Sequence, residues 1–271
     1  MNYLVVDIGN TNIVIAVFDG KKIKKKWRIS SFLNRTKDEY ILWLKYITDQ
    51  NFTFKDIIIG SVVPDITQEL KAALNNFFKI KPCVIAEDIK VNFPTELEVP
   101  SEIGTDRIVN ALCAWRLYNQ PAVIIDFGTA TTFDVVGQKG VYLGGVIAPG
   151  VNLSINALHS AAARLPRIAI TKQEEVIGKN TVSAMSSGIY WGYIGLIKNI
   201  LHKIKSELNY KMLVLATGGL SDLFINEVSE DIIVNKDLTI TGLFIAYEEG
   251  NFKLTLKKKI ITVKIKFIFY H

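Results

Sequence analysis

The sequence is poor in the residues that support disulfide, metal or membrane chemistry. Its 271 residues include only two cysteines and three histidines. Cys83 and Cys113 are too few for a disulfide framework and have no metal-ligand spacing, so both are expected to be buried apolar side chains. No apolar run reaches the length of a membrane helix, and the N-terminus lacks the pattern of a signal peptide. We therefore expect a protein of the reducing cytoplasm without a membrane partner.

Positive charge is in excess, but the excess lies at one end of the chain. The formal net charge is +6. Residues 251–271 contain six lysines and no acid, and without these six the basic residues equal the 26 acidic ones. A second basic cluster, at residues 21–26, follows the hairpin signal Asp19-Gly20 and is interpreted as a solvated turn rather than a phosphate-binding patch. Nucleic acid is therefore not an expected partner.

One short pattern occurs twice. The segments VVDIGNTNIVIAV (5–17) and IIDFGTATTFDVV (124–136) both contain a strand, an aspartate, an apolar residue, a glycine and a turn rich in hydroxyl or amide groups. An ungapped alignment with an offset of 119 residues pairs Asp7 with Asp126. The repeat predicts two lobes built on one plan, with their two turns facing each other across a cleft.

The chemistry of these turns suits a polyphosphate. Glycine lets backbone N–H groups approach phosphate oxygens, and asparagine and threonine add neutral donors. An aspartate repels phosphate unless a cation lies between them, and Mg²⁺ is commonly held by one or two carboxylates together with substrate phosphates. The alternative is that each pattern is only favourable turn chemistry. Neither a P-loop nor a dinucleotide-binding G-x-G-x-x-G motif is present.

The remaining patterns predict an α/β protein. Strands are expected at 56–63 and 212–221, and helices at 38–50, 65–79, 107–119 and 181–208. The expected domains are residues 1–118, residues 119–250 and a basic tail at 251–271, with 237–248 closing the second lobe. Gly188, Gly192 and Gly195 fall on one face of the last helix, where core packing and a dimer interface explain them equally well.

Seven motifs occur in an order that resembles the type III pantothenate kinases. They cover residues 1–250 and are D-I-G-N-T-N at 7–12, G-T-D-R at 104–107, D-F-G-T-A at 126–130, G-G-V-I-A-P-G at 144–150, G-K-N-T at 178–181, T-G-G at 217–219 and L-T-I-T-G-L at 238–243. The resemblance implies two actin-like, ribonuclease H-like lobes related by duplication, with a nucleotide cleft between them. It also implies a homodimer that phosphorylates pantothenate with ATP, Mg²⁺ and a monovalent cation, K⁺ or NH₄⁺.

The resemblance also implies roles for particular residues. The ATP phosphate loop comprises Asp7, Ile8, Gly9, Asn10, Thr11, Asn12, Ile13 and Val14, and Thr129 is a further ATP contact. Pantothenate is bound by Gly104, Thr105, Asp106, Arg107 and Thr181. Asp106 is the catalytic base, and Asp126 is the ligand of the monovalent cation. From the residues themselves, Asp7 is expected to hold Mg²⁺ directly or through water, and the fork of Arg107 suits a carboxylate or a phosphate.

The sequence departs from the family at one substrate contact. The family commonly has a tyrosine shortly before G-x-D-R that touches pantothenate, whereas the aligned residue here is Leu97 and the nearest aromatic residue is Phe93. Two other functions are alternatives: a kinase of the same superfamily with another acceptor, and a non-catalytic nucleotide-binding regulator.

Overall fold

The computed structural model describes residues 1–48, 52–161, 165–228 and 231–251. Expectations about residues 252–271, which include the lysines of the basic tail, lie outside these ranges. The chain forms two compact units. Among the described residues, unit 1 comprises Met1–Asn92, Glu102–Cys113 and residues 239–251, and unit 2 comprises Phe93–Ser101 and Ala114–Leu238.

Unit 1 is built around one five-stranded sheet on which helices pack. Its strands are β1 (Asn2–Ile8), β2 (Asn12–Asp19), β3 (Lys22–Ser30), β4 (Phe54–Ser61) and β5 (Cys83–Val84), in the order β3-β2-β1-β4-β5. Two of its helices are α1 (Lys37–Ile47) and α2 (Pro64–Phe78). The first three strands are antiparallel, whereas β4 and β5 run parallel to β1. Parallel strands align their carboxyl ends, so the residues that follow β1 and β4 emerge at one edge of the sheet.

Local signals explain helices α1 and α2. Thr36 and Glu39 form a reciprocal capping box at the start of α1, which satisfies two backbone groups that a helix otherwise leaves unpaired. Pro64 occupies the first turn of α2, where its missing N–H costs nothing. Apolar side chains of both helices, including Leu44 and Leu70, are fully buried in the cluster beneath the sheet.

Unit 2 repeats the sheet of unit 1 strand for strand. Its strands are β6 (Ala122–Phe127), β7 (Ala130–Val136), β8 (Tyr142–Pro149), β9 (Leu213–Gly218) and β10 (Ile232–Val234). The order β10-β9-β6-β7-β8 and the strand directions match those of unit 1. The helices are α4 (Val151–Ala161), α5 (Thr181–Leu208) and α6 (Ser221–Ile225). The prediction of an α/β fold with a duplicated sheet is confirmed.

The ungapped alignment of the repeat is wrong by one residue beyond the turn. Ile8 pairs with Ile13 across the first hairpin, whereas Phe127 pairs with Thr131 across the second. The second turn is therefore one residue shorter, and the offset between the copies falls from 119 to 118. The burial patterns of β2 and β7 agree in this shifted register, because one missing residue would otherwise turn every buried side chain to the other face.

Residues 239–251 belong to unit 1, which corrects the assignment of residues 239–250 to the second lobe. Residues 238–251 are helical. Leu243 fills the space above Gly60, where a Cβ would overlap it. Phe244 stacks on Phe18 with the ring centroids 4.7 Å apart, and the Tyr247 hydroxyl donates to Asp56 Oδ2 at 2.5 Å. These contacts hold the helix on the sheet of unit 1.

The helix α3 (Thr105–Tyr118) supplies residues to both units, since the division falls between Cys113 and Ala114.

Cys113 is buried as expected, and burial raises the pKa of its thiol to about 12. Cys83 is only half-buried, which corrects the expectation of full burial; desolvation raises the pKa of its thiol to about 11. Within the described ranges, no helix has both the length and the apolar character needed to span a membrane.

Candidate active site

The first glycine turn connects β1 to β2 at the carboxyl edge of the sheet of unit 1. Asp7 is the next-to-last residue of β1 and pairs with Val14 of β2 and Gly60 of β4. The backbone N–H of Gly9 donates to the Asn12 carbonyl at 3.0 Å and closes the turn. A Cβ on Gly9 would lie 3.3 Å from that same carbonyl, so a larger residue would push the Asn12 carbonyl back by a few tenths of an ångström.

The side chains of the first loop divide into two groups. Ile8 and Ile13 are fully buried in the core, so any contact that they make with a nucleotide is through the backbone. Asn10 and Thr11 are exposed at the tip, and Asp7, Gly9, Asn12 and Val14 are half-buried. The loop therefore presents backbone groups and short polar side chains to solvent, as a phosphate-binding loop requires.

Ser31, which was not among the predicted site residues, fixes the first loop from the side. Its hydroxyl donates to the Gly9 carbonyl at 2.5 Å, and its backbone N–H donates to the Thr11 carbonyl at 2.9 Å. Two carbonyls of the loop are thus held by the residue that follows β3. A serine just after a strand is too common a feature to have indicated this contact.

The segment Gly104–Arg107 lies at the same edge of unit 1. A Cβ on Gly104 would be 3.9 Å from Val62, and the N–H of Val62 donates to the Ile8 carbonyl at 3.1 Å. Asp106 is in the first turn of α3, and its Oδ1 accepts from the backbone N–H of Arg107 at 2.9 Å. The carboxylate also folds back over Gly104, since Oδ1 is 2.5 Å from where a Cβ would be.

The second glycine turn connects β6 to β7 in unit 2. Asp126 is the next-to-last residue of β6 and pairs with Thr132 and Thr217, which matches the position of Asp7. The N–H of Gly128 donates to the Ala130 carbonyl at 3.1 Å, and Thr129 is exposed. A Cβ on Gly150 would overlap the Thr129 carbonyl, so the start of α4 packs directly on this turn.

Thr181 is the first residue of α5 and is exposed. Asn180 and Ser183 form a capping box that fixes the start of the helix: the N–H of Ser183 donates to Asn180 Oδ1 at 2.9 Å, and the N–H of Asn180 donates to Ser183 Oγ at 3.1 Å. A Cβ on Gly178 would overlap the backbone at Ala184. The motif G-K-N-T is thus a helix-start motif that sets the direction of the Thr181 side chain.

Leu97 occupies a segment that runs beside β8. The N–H of Tyr142 donates to the Pro94 carbonyl at 2.8 Å, and the N–H of Glu96 donates to the Tyr142 carbonyl at 3.0 Å. Leu97 is half-buried, 3.7 Å from where a Cβ of Gly144 would be, and Phe93 is buried. The position that carries a tyrosine in the family therefore offers no hydroxyl here.

The described residues contain no cluster of three or more histidine, cysteine or acidic side chains that could hold a metal ion. Protein ligands alone therefore do not form a metal centre in this part of the chain. Asp7 and Asp126 are instead single half-buried carboxylates, each beside a glycine turn. One carboxylate completed by substrate phosphates is a usual donor set for Mg²⁺. The donors at Asp7 fit such a site.

Two sheets of identical strand order, each with an aspartate and a glycine at its first turn, are the arrangement of the actin-like fold class. Among solved structures, a Baf family transcriptional activator from Campylobacter jejuni is 21% identical, with a TM-score of 0.59 over 91% of this chain and 98% of that one. The activator of the 2-hydroxyisocaproyl-CoA dehydratase from Clostridium difficile, solved with bound ADPNP, is 13% identical. Its TM-score is 0.51 over 94% of this chain and 97% of that one. Both establish the fold alone.

Relatives of higher sequence identity establish the family to which the chain belongs. The type III pantothenate kinase family matches residues 3–203. A type III pantothenate kinase from Acidiphilium cryptum is 46% identical over 244 residues, which are 89% of this chain and 92% of that protein. The chain belongs to the type III pantothenate kinase family.

Proposed function

We propose that the chain transfers the γ-phosphoryl group of ATP to the terminal hydroxyl of pantothenate, the first step of coenzyme A synthesis, in the cytoplasm. The main support for the proposal is the segment Gly104–Arg107. It forms the start of α3 in a chain that belongs to this family. Its carboxylate and guanidinium groups are the two charged groups that the substrate chemistry needs.

Asp106 is the proposed catalytic base. The transition state of phosphoryl transfer is loose, and the proton of the attacking hydroxyl leaves late. A carboxylate that accepts a hydrogen bond from this hydroxyl can therefore orient it first and take its proton afterwards. One oxygen of Asp106 already accepts from the Arg107 N–H at 2.9 Å, which fixes the carboxylate and leaves Oδ2 for the substrate hydroxyl.

The remaining residues of the two motifs are proposed to bind pantothenate. The planar guanidinium of Arg107 can form two parallel hydrogen bonds with the substrate carboxylate. Gly104 and Thr105 form the entry to α3, where backbone N–H groups are unsatisfied by the helix and can donate to the substrate. Thr181 has the same position at the start of α5, and its exposed hydroxyl is a further proposed contact.

The loop from Asp7 to Val14 is proposed to bind the phosphates of ATP, and Thr129 is proposed as a further contact. The exposed amide and hydroxyl of Asn10 and Thr11 are neutral donors, and Ser31 holds the backbone of the loop in its closed form. Asp7 would hold Mg²⁺, which neutralises phosphate charge during transfer. Asp126, the equivalent carboxylate in unit 2, would hold K⁺ or NH₄⁺.

A homodimer is also proposed, with α5 at its interface. Gly188, Gly192 and Gly195 are exposed, and a Cβ on any of them would meet nothing within 4 Å. Core packing, the alternative explanation, therefore does not hold within the described residues. Unit 2 also exposes Ile147, Leu153 and Val182 by 63%, 50% and 49%, and burying such side chains against a second copy would contribute to the stability of a dimer. We expect Gly192→Arg to yield a monomer in size-exclusion chromatography with light scattering.

The catalytic proposal is tested by incubating the purified protein with Mg-ATP and pantothenate, with and without K⁺. We expect ADP release that depends on pantothenate, a product heavier by one phosphate, and activation by K⁺. Glucose, acetate and N-acetylmannosamine as acceptors separate this proposal from a kinase of another specificity. Turnover with one of these but not with pantothenate would overturn the substrate assignment, and absence of turnover with every acceptor would favour a regulator.

A further inference from the structure

Tyr193 of α5 lies behind the second glycine turn, in unit 2. It is 6% exposed, and its hydroxyl donates to the Pro149 carbonyl. The Ser154 hydroxyl is 3.3 Å from the same phenol oxygen. Because the single proton of the phenol goes to Pro149, Ser154 is the donor in this second contact. A tyrosine phenol carries its proton at neutral pH, and burial raises the pKa of Tyr193 further.

These contacts fix the corner between β8 and α4. Pro149 ends β8, and the Gly150 carbonyl accepts from the N–H of Ser154 at 2.9 Å in the first turn of α4. Tyr193 therefore holds both sides of Gly150: the preceding carbonyl directly, and the following helical turn through Ser154.

The corner at Gly150 in turn supports the turn that carries Thr129. The backbones of these two residues are in direct contact, since a Cβ on Gly150 would overlap the Thr129 carbonyl and leave only 2.9 Å to the Gly128 carbonyl. Pro149 also pairs with Ala130 in the β7–β8 ladder. A shift of the corner would therefore be transmitted to Gly128 and Thr129 without an intervening side chain.

We propose that Tyr193 is a positioning residue that holds the second phosphate turn, Gly128–Ala130, in place through the Pro149–Gly150 corner. The inference rests on the proposed role of Thr129 in ATP binding. Tyr193 does not touch the nucleotide, and its role is to limit the positions that Thr129 adopts. Loss of its hydroxyl should weaken the use of ATP more than the use of pantothenate.

The chain offers a matched control for this inference. Tyr190 lies on the same helix and is fully buried, and both tyrosine rings pack on Phe224 with centroids 5.7 Å and 5.6 Å away. The Tyr190 hydroxyl has no hydrogen-bond partner in the part of the chain that the structure describes. Tyr190→Phe and Tyr193→Phe thus remove the same atom from the same core, but only the second removes a hydrogen bond to the corner.

The experiment measures KM for ATP and for pantothenate in the wild type and both variants, together with the Kd of a Mg-bound non-hydrolysable ATP analogue. We expect Tyr193→Phe to raise the KM and Kd for the nucleotide about 3- to 10-fold, the usual effect of one lost hydrogen bond. Its KM for pantothenate should stay within about twofold. Tyr190→Phe should match the wild type in all three constants.

Two results would overturn the inference: unchanged nucleotide constants in Tyr193→Phe, or equal changes in both tyrosine variants. Melting temperatures show whether each variant is folded. If Tyr193→Phe does not fold, Ser154→Ala replaces it and should raise the same two nucleotide constants by a smaller factor; no change would refute the role. Inactivity of the wild type toward pantothenate would instead count against the proposed function, and analogue binding would still test the role of Tyr193.

Discussion

The substitution Gly104→Ala should move the carboxylate of Asp106, the proposed base, with little effect on the stability of the fold. Gly104 does not have a positive φ, so alanine fits its backbone conformation. The added Cβ would lie 2.5 Å from Asp106 Oδ1, and the next nearest atom outside Asp106, on Val62, would be at 3.9 Å. Within the protein, the substitution therefore disturbs one group only, the carboxylate of Asp106; weaker contact between residue 104 and pantothenate would instead raise KM for pantothenate.

The structure gives the size of this disturbance. Asp106 Oδ1 must retreat by about 1 Å to reach ordinary van der Waals distance from the new methyl group. A displacement of about 1 Å at a reacting group can reduce the rate by roughly 10²-fold. The retreat also breaks the hydrogen bond from the Arg107 N–H, which costs about 1 kcal/mol. The reduced freedom of the unfolded chain returns about 0.4–1 kcal/mol.

We therefore expect kcat to fall about 100-fold while the melting temperature stays within about 3 °C of the wild type. Steady-state kinetics and thermal unfolding on the same preparation measure both, and Ser101→Ala, an exposed neighbour in the preceding turn, is the control. A kcat within about threefold of the wild type in a folded variant would show that the carboxylate of Asp106 does not need this position. The assignment of Asp106 as the base would then be refuted.

Three further predictions concern the carboxylates and the tail. Asp106→Asn should lower kcat by about 10²–10⁴ while the Kd of a non-hydrolysable ATP analogue stays unchanged; weaker analogue binding would contradict a role confined to the acceptor. Asp126→Ala should lose activation by K⁺, whereas Asp7→Ala should impair the use of Mg-ATP at every K⁺ concentration; a K⁺ titration that matches the wild type would exclude Asp126 as the cation ligand. Removal of residues 252–271 should leave kcat/KM within a few-fold of the full chain, because every motif ends by Leu243; loss of turnover in a folded truncation would show otherwise.

The sequence predicted the features that depend on short-range chemistry. Apolar periodicity and a glycine beside polar residues predict the strand–turn–strand pattern and the positions of Asp7 and Asp126. Both signals are local, since they involve residues only a few positions apart in the sequence. The helix over 181–208 was predicted with the bounds of α5, because the apolar spacing continues to Leu208.

Features that depend on long-range packing could not be predicted. Residues 237–248 follow the second repeat in sequence, and no local signal indicates that their partners are Phe18, Asp56 and Gly60 near the start of the chain. Ser31 was missed for the same reason, since its contacts with Gly9 and Thr11 join residues about twenty positions apart. The missing residue of the second turn was hidden because the two short turns share only a glycine and one threonine, too little to place a gap between them.

That missing residue is the physical difference between two otherwise equivalent turns. The first turn has four residues between its paired strand ends, is closed by its own hydrogen bond, and is held from outside by Ser31. The second has three, and Gly150 packs against its backbone. The longer turn exposes two polar side chains at its tip, Asn10 and Thr11, whereas the shorter one exposes Thr129. The duplicated sheet thus supplies two carboxylates in equivalent positions, while the length of each turn determines how many donors accompany each carboxylate.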